Sequence, residues 1–240
     1  MKNRLKIFFI LLILFSFNFL TPILSNEIEF EAENIETIDE NLIKASKNII
    51  ISDSQGNKIY GDKLTIKDKK IYTISGDVIF ENIDDSIKLI ATRIVYNVSD
   101  DLIKSFGNTK IIKNNSYFVN TSNILYNVKN KNISSSEKTL VEDLQSNKIE
   151  VKNFSISLIE NLFKANNAYI IDKNLNQYEL EKIFYDFKKN KILGKDLILN
   201  QDNSLSNERY LPRAKGRSFL MEEDNMILNK GIYTNCKKTD

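Results

Sequence analysis

Residues 61–96 read GDKLTIKDKKIYTISGDVIFENIDDSIKLIATRIVY, three apolar runs separated by the turn-forming clusters Asp68-Lys69-Lys70 and Asn82 to Ser86. Inside each run the apolar residues alternate: Leu64 with Ile66, Val78 with Phe80, Leu89 with Ala91, Ile94 with Tyr96. A period of two is the pattern of a half-buried strand. The alternation breaks at one place, because the steps from Gly61 to Leu64 and from Ala91 to Ile94 are three residues and reverse the parity. A straight strand would turn the apolar face of its second half to water. The runs are also ten to twelve residues long, about twice the usual strand of 5–6. A bulge or corner in mid-run resolves both oddities, since it restores inward pointing after an odd step. Small residues suit such a corner, where backbones come close.

The same device extends in both directions. A residue that is small in the first four copies recurs with a bulky apolar one three places on, at Ala32/Ile35, Gly61/Leu64, Ala91/Ile94, Thr121/Ile124, Val151/Phe154 and Leu180/Ile183, each anchor 29 or 30 residues after the last. A second series lies between them at Lys47/Ile49, Gly76/Val78, Gly107/Thr109, Lys138/Leu140 and Asn167/Tyr169. Internal repetition of this kind decides the architecture. The expectation is an all-β protein: about twelve consecutive antiparallel, bent strands forming an elongated, folded-over β-jelly roll over residues 27–207. An up-and-down β-sandwich and a parallel β-helix are the rival arrangements; only seven glycines argue against the second.

Residues 1–26 have the order of a secretory signal, with Lys2, Arg4 and Lys6 before an apolar block and the small residue Ser25 after it. Without those three cations the chain holds 31 basic and 32 acidic residues, which implies no nucleic-acid partner. There is no His and one Cys, which excludes Ser-His-Asp and Cys-His nucleophilic sites and the usual zinc sets. The acidic pairs Asp84-Asp85 and Asp100-Asp101 and the run Glu222-Glu223-Asp224 fall in predicted turns and read as solvated. No enzyme, cofactor or metal centre is expected.

A folded-over sheet that does not close leaves an apolar trough. The parity pattern nominates as its lining Phe30, Ile35, Ile43, Ile49, Ile51, Ile59, Leu64, Ile66, Ile74, Val78, Phe80, Leu89, Ile94, Tyr96, Val119, Ile124 and Tyr126, with plain core packing as the competing role for each. An open stack also has exposed first and last strands, which invite pairing with another chain. The first run starts Ile28-Glu29-Phe30-Glu31-Ala32-Glu33 and is blocked by neither proline nor lysine, so it is the candidate edge for strand addition by a partner.

The small-x-x-apolar anchors, with intervening segments such as Gly76-Asp77-Val78, resemble the OstA-type β domain of periplasmic lipopolysaccharide-transport proteins. The tail, with Arg209, Arg213, Lys215 and Arg217 and then Tyr233-Thr234-Asn235-Cys236, is similar to the junction that leads into the outer-membrane barrel in the LptD family. The resemblance implies an exported domain at the periplasmic face of a Gram-negative outer membrane. It would receive lipopolysaccharide from an LptA-type bridge protein by edge-strand addition and pass its acyl chains along the trough. Residues 208–240 would be the junction to a barrel that lies beyond this sequence, with an LptE-type lipoprotein as a further partner. The resemblance places Cys236 where family members carry a disulfide cysteine, and the four basic residues could meet lipid phosphates. An LptA- or LptC-like bridge component, a β-repeat module that binds protein and no lipid, and a surface β-solenoid are the alternatives.

Overall fold

The computed structural model describes residues 28–200, 213–222 and 225–234. Eighteen strand segments follow one another: β1 (Ile28–Glu31), β2 (Asn34–Asp39), β3 (Leu42–Asp53), β4 (Asn57–Lys67), β5 (Ile71–Asn82), β6 (Ile87–Asn97), β7 (Leu102–Lys113), β8 (Tyr117–Ser122), β9 (Leu125–Asn127), β10 (Asn132–Ser135), β11 (Thr139–Asp143), β12 (Lys148–Val151), β13 (Asn153–Ser157), β14 (Leu162–Ile171), β15 (Gln177–Asp186), β16 (Lys191–Asn200), β17 (Arg213–Glu222) and β18 (Asn225–Thr234). Every pairing among them is antiparallel, which removes the parallel β-helix and solenoid readings. Four bent strands are each broken at the corner into two segments, β1/β2, β8/β9, β10/β11 and β12/β13; the others run unbroken through the bend.

Each bent strand contributes one half to a first layer and the other half to a facing second layer. In β3, for example, Leu42 to Ser46 pair with Lys67 to Lys63 of β4 in the first layer, and Ile49 to Ser52 pair with Gly61 to Lys58 in the second, with the ladder interrupted between them. The stack is in sequence order, β1/β2 at one end and β18 at the other, and at about 4.8 Å per strand it is roughly 60 Å long. The two layers meet along a line of corners on one side. On the other side the hairpin turns of the two layers face each other across a seam.

Two kinds of corner alternate in the first half of the stack. In β4 and β6 the inward series steps from the half-buried Gly61 to the buried Leu64 and from Ala91 to Ile94, the parity reversal read from the sequence. In β3, β5 and β7 the buried residues keep one parity through the bend. These strands turn instead with left-handed residues: Lys47 and Asn48, Gly76 and Asp77, and Gly107. Gly76, at φ 84°, sits where a side chain is disfavoured, and its corner sets Gly76-Asp77 opposite the single residue Thr92 of β6. That two-to-one opposition is a bulge.

The hairpin turns carry their own recurring motif. Asp53, Asp143 and Asp172 each open a five-residue turn closed by Asn57, Asn147 and Asn176. Oδ1 of the aspartate accepts two main-chain N–H groups and Oδ2 accepts the asparagine amide, at 2.7–3.0 Å. These side chains satisfy main-chain donors that would otherwise be orphaned as the chain reverses.

The repeat does not end at residue 207. β17 pairs with β16 from Asn200↔Arg213 to Lys191↔Glu222, and β18 pairs with β17 from Arg213↔Thr234 to Glu222↔Asn225, so the described part of the expected junction adds two strands to the same sheet. The apolar anchor pattern continues there, with Ala214, Gly216 and Phe219 buried. Gly194 accommodates Phe219: a Cβ on it would lie 2.2 Å from Phe219 Cε1 and 2.5 Å from Leu180 Cδ2. Gly194→Ala is expected to lower stability by about 1–3 kcal/mol through overpacking, measured by urea denaturation.

Candidate functional site

The interior is built from lateral rows that cross the strands. In the first layer, register links Ile43 to Ile66, Tyr72, Tyr96, Ile103 and Tyr126, and the row goes on through Ile133, Ile156 and Phe163 to Met226 at the far end. In the second layer a matching row runs from Phe30 through Ile51, Ile59, Phe80, Leu89 and Ile111, then Val119, Val141 and Ile149 to Tyr233. The two rows meet face to face, as where the rings of Phe80 and Tyr126 pack edge-on at 5.5 Å between centroids. Apolar surface is therefore continuous along the whole stack axis.

Fourteen of the seventeen nominated lining residues, Ile49 to Tyr126 in that series, are buried in this interior. Phe30 and Ile43 are half-buried. Ile35 departs from the expectation, at 56% exposed. It has the inward parity, but it lies on β2, whose residues are all exposed because no further strand among the described residues covers that end. Two members of the second sequence series are displaced by one position. Thr139 and Ala168, rather than Leu140 and Tyr169, are the buried residues; a hydroxyl and a methyl there are masked by bulkier outward neighbours. Thr139 hydrogen-bonds Thr121 at 2.7 Å, and Ser105 and Thr109 pair at 2.6 Å, so the mid-stack corners are lined by mutually satisfied hydroxyls.

The seam has two unlike lips. Along the first layer an apolar residue follows the strand into the turn at Val98, Val128, Leu158 and Phe187, 29 or 30 residues apart; the last three are buried. Each donates its N–H to the neighbouring turn, to Lys70, Asp101, Lys131 and Asn161 respectively, which fixes it over the interior. The position one repeat earlier is Asp68, which is exposed. Along the second layer the lip is polar: Asp53, the buried Asn57 and Asn82, Lys113, Tyr117, Asp143 and Asp172. Asn82 donates to Asn57 Oδ1 at 2.8 Å, and Asn57 to Asp53 Oδ2 at 2.8 Å.

Among the described residues, polar contacts and the Tyr117–Phe187 ring pair, at 4.9 Å between centroids, join the lips. Lys131 of the first layer reaches Asp85 Oδ1 of the second at 2.9 Å, and the hydroxyls of Tyr117 and Tyr185 lie 2.6 Å apart. Asp85 is thus not the solvated turn acid expected, since its side chain is only 12% exposed. Lys113, on the inward parity of β7, is 3% exposed and donates to the Asp85 carbonyl at 2.6 Å. Burial holds its ammonium below the usual lysine range, opposed by the nearby Asp85 charge. Burial, then the Asp85 and Asp53 charges, push the Tyr126 phenol far up, and Tyr96 is raised chiefly by burial as well, so both phenols stay neutral below strongly alkaline pH. Sequence reading missed this seam. Its signals were the 30-residue recurrence of Val98, Val128 and Leu158 and a lysine on an apolar parity.

At the candidate edge, β1 spans Ile28, Glu29, Phe30 and Glu31 with both glutamates exposed, whereas Ala32 and Glu33 fall in the corner rather than in the strand. Asn48 donates to Glu33 there. Of the basic tail residues, Lys215 has the outward parity of β17 and Arg217 lies exposed at its corner; Arg213, half-buried, begins the strand. None of the three faces the apolar interior. Arg209, Cys236 and residues 1–26 lie outside the described residues. A shallow depression lined by Ser155, Lys164, Lys182 and Phe184 lies on β13 to β15. Among the described residues there is no group of His, Cys, Asp and Glu that could hold a metal ion, and no helix long and apolar enough to cross a membrane.

No family model and no curated protein matches the sequence. Among solved structures the chain is similar to LptH of Pseudomonas aeruginosa, described as the LptA-homologous periplasmic component of that organism's lipopolysaccharide transport device. The two share 14% identity with a TM-score of 0.21, over 76% of this chain and 87% of that one.

Proposed function

We propose that the chain is a lipopolysaccharide-transport domain of the LptA/OstA-like kind, without catalytic activity, exported to the periplasmic face of the outer membrane. Within that reading it is the N-terminal domain of an LptD-type assembly protein. It accepts lipopolysaccharide from an LptA-type bridge through strand addition at β1 and guides the acyl chains along the interior toward a barrel and its LptE-type lipoprotein. The LptD choice is supported by Tyr233-Thr234-Asn235-Cys236, whose first two residues close β18.

The observation that carries the reading is the pair of lateral apolar rows. They run perpendicular to the strands and without interruption from the β1/β2 end of the stack to β18, so a chain lying between them would meet apolar surface at every step of its passage. Burial of an acyl chain there is favourable by about 0.8 kcal/mol per methylene. A channel of this kind needs no specific polar contact to hold its cargo, in keeping with a carrier rather than a catalyst.

One observation favours a second reading. Ile74, Val78, Phe80, Leu89 and Ile94 have no exposed surface, and an interior packed this fully suits a repeat module that binds protein partners by its edges and carries no lipid. A diazirine-bearing residue at Ile94 or Phe80, irradiated in cells, separates the two. Lipopolysaccharide adducts on a protein with a cooperative melting transition are the expected result. A folded, photoactive protein without lipid adducts would overturn transport in favour of the interaction module.

A further inference from the structure

We propose that Lys113 and Lys131, now gathered on Asp85 at the seam, form a seat for the phosphomonoester of an amphiphile whose acyl chains enter the interior. This inference rests on the transport reading and adds to it a headgroup site and a mechanism for parting the seam.

Lys113 is the one charged residue among the buried described residues. A cation on the inward face of an apolar layer is costly unless it is paired, yet its hydrogen bond goes to a neutral carbonyl, that of Asp85. The Asp85 carboxylate is engaged by Lys131 through Oδ1, and its Oδ2 is buried without a hydrogen-bond partner. One carboxylate therefore stands near two ammonium groups but is bonded to Lys131 alone, and half of it is unsatisfied. The cluster lacks one negative charge and holds one misplaced acceptor.

A phosphomonoester carries about −1.5 to −2 charges at neutral pH and three acceptor oxygens, enough to satisfy both lysines. Asp85 belongs to a turn between β5 and β6 and can rotate its carboxylate to water once released. The lipid geometry agrees: Tyr126 and Phe80 lie on the interior side of the cluster, so a headgroup at the two lysines places its chains against the apolar rows. Lys131 comes from one lip, and Asp85 and Lys113 from the other. Exchanging Asp85 for phosphate thus removes the ion pair that ties the lips together. A ligand shifts a conformational equilibrium only by its differential affinity for the two states; here the difference is the new pair of charge-assisted bonds, available only when the Asp85–Lys131 bridge is broken.

The test is equilibrium binding of phosphorylated lipid A, of the same lipid fully dephosphorylated, and of inorganic phosphate to the purified protein and to Lys131→Ala and Asp85→Asn. Lys131 is partly exposed, so its truncation leaves the fold intact. Lys131→Ala is expected to weaken the phosphorylated lipid about tenfold, the effect of one charge-assisted hydrogen bond, and to leave the dephosphorylated lipid unchanged. Asp85→Asn, which removes the competing anion, tightens the phosphorylated lipid. Equal binding of both lipids with no effect of Lys131→Ala overturns the headgroup seat while transport stands. Failure of both lipids to bind overturns the transport reading and the seat with it. Inorganic phosphate binding with the same Lys131 dependence, without lipid preference, makes this a free-anion site and overturns the coupling to the seam.

Discussion

Phe80→Ala is expected to lower the stability of the lipid-free protein by about 3–5 kcal/mol, the range for removing a buried aromatic ring, while increasing its affinity for a long-chain amphiphile. Phe80 has no exposed surface. Register places it between Ile59 and Leu89, and its ring packs edge-on against Tyr126 of the facing layer, so it fills the gap between the layers where the second-layer row crosses β5. The layers are held by hydrogen-bonded ladders on either side of the residue and cannot collapse fully into the space, which is the condition for a large cavity cost. In a lipid channel the same space is free for acyl chain. Three or four methylenes accommodated there at about 0.8 kcal/mol each would tighten binding by about two orders of magnitude. Urea denaturation of the wild type and variant, with and without lipid A, reads both effects at once. A variant that lipid fails to restabilise beyond the wild-type increment would speak for the sealed interaction module.

Most of the fold was legible because the strand period is two and the corner leaves a distinct mark on it. Gly61/Leu64, Ala91/Ile94 and Thr121/Ile124 each flip parity at the place where the chain passes between layers, and any other path would expose half of each apolar run. The corners of β3, β5 and β7 were less legible, since left-handed Lys47-Asn48 and Asp77 turn the chain without disturbing parity. The tail was misjudged for a different reason. Residues 201–212 interrupt the beat with a long polar stretch, which conceals that Ala214, Gly216 and Phe219 resume the anchor pattern after it.

The candidate site divides the same way. Alternation marks which side chains point inward, and so found Ile49 through Tyr126. It does not report whether a neighbouring strand exists to cover them, and Ile35, on the first strand of the stack, remains exposed. Contacts across the seam join residues 46 and 68 positions apart, Asp85 with Lys131 and Tyr117 with Tyr185. The layers are offset relative to each other along the stack, so no fixed spacing along the chain could have revealed these pairs.

Lys113→Met and Lys113→Glu are expected to act in opposite directions, and the contrast tests what the buried lysine does. Lys113→Met keeps the apolar stem and removes a charge that burial disfavours. Asp85 retains Lys131 as its partner, so no carboxylate is left unpaired, and replacement of a buried charge by an apolar side chain of similar volume is neutral or stabilising. Lys113→Glu puts a second carboxylate beside the buried, half-satisfied Asp85 and should cost about 3–5 kcal/mol at neutral pH. The pH dependences follow by linkage. In the wild type the folded-state value of Lys113 is depressed, so the unfolded chain binds more protons between that value and the unfolded 10.5. Stability due to this group therefore rises with pH across that window, and the rise is absent in Lys113→Met. In Lys113→Glu burial and the Asp85 charge raise the introduced carboxyl above its unfolded value of about 4.3. Its penalty is then absent below that value and appears as pH rises through the folded one. Chemical denaturation of the three proteins between pH 4 and pH 10 checks both signs. A Lys113→Met variant as unstable as Lys113→Glu would mean that the lysine is a structural tie of the turn. A stable Lys113→Met that no longer distinguishes phosphorylated from dephosphorylated lipid would mean that the buried charge is kept for an incoming anion.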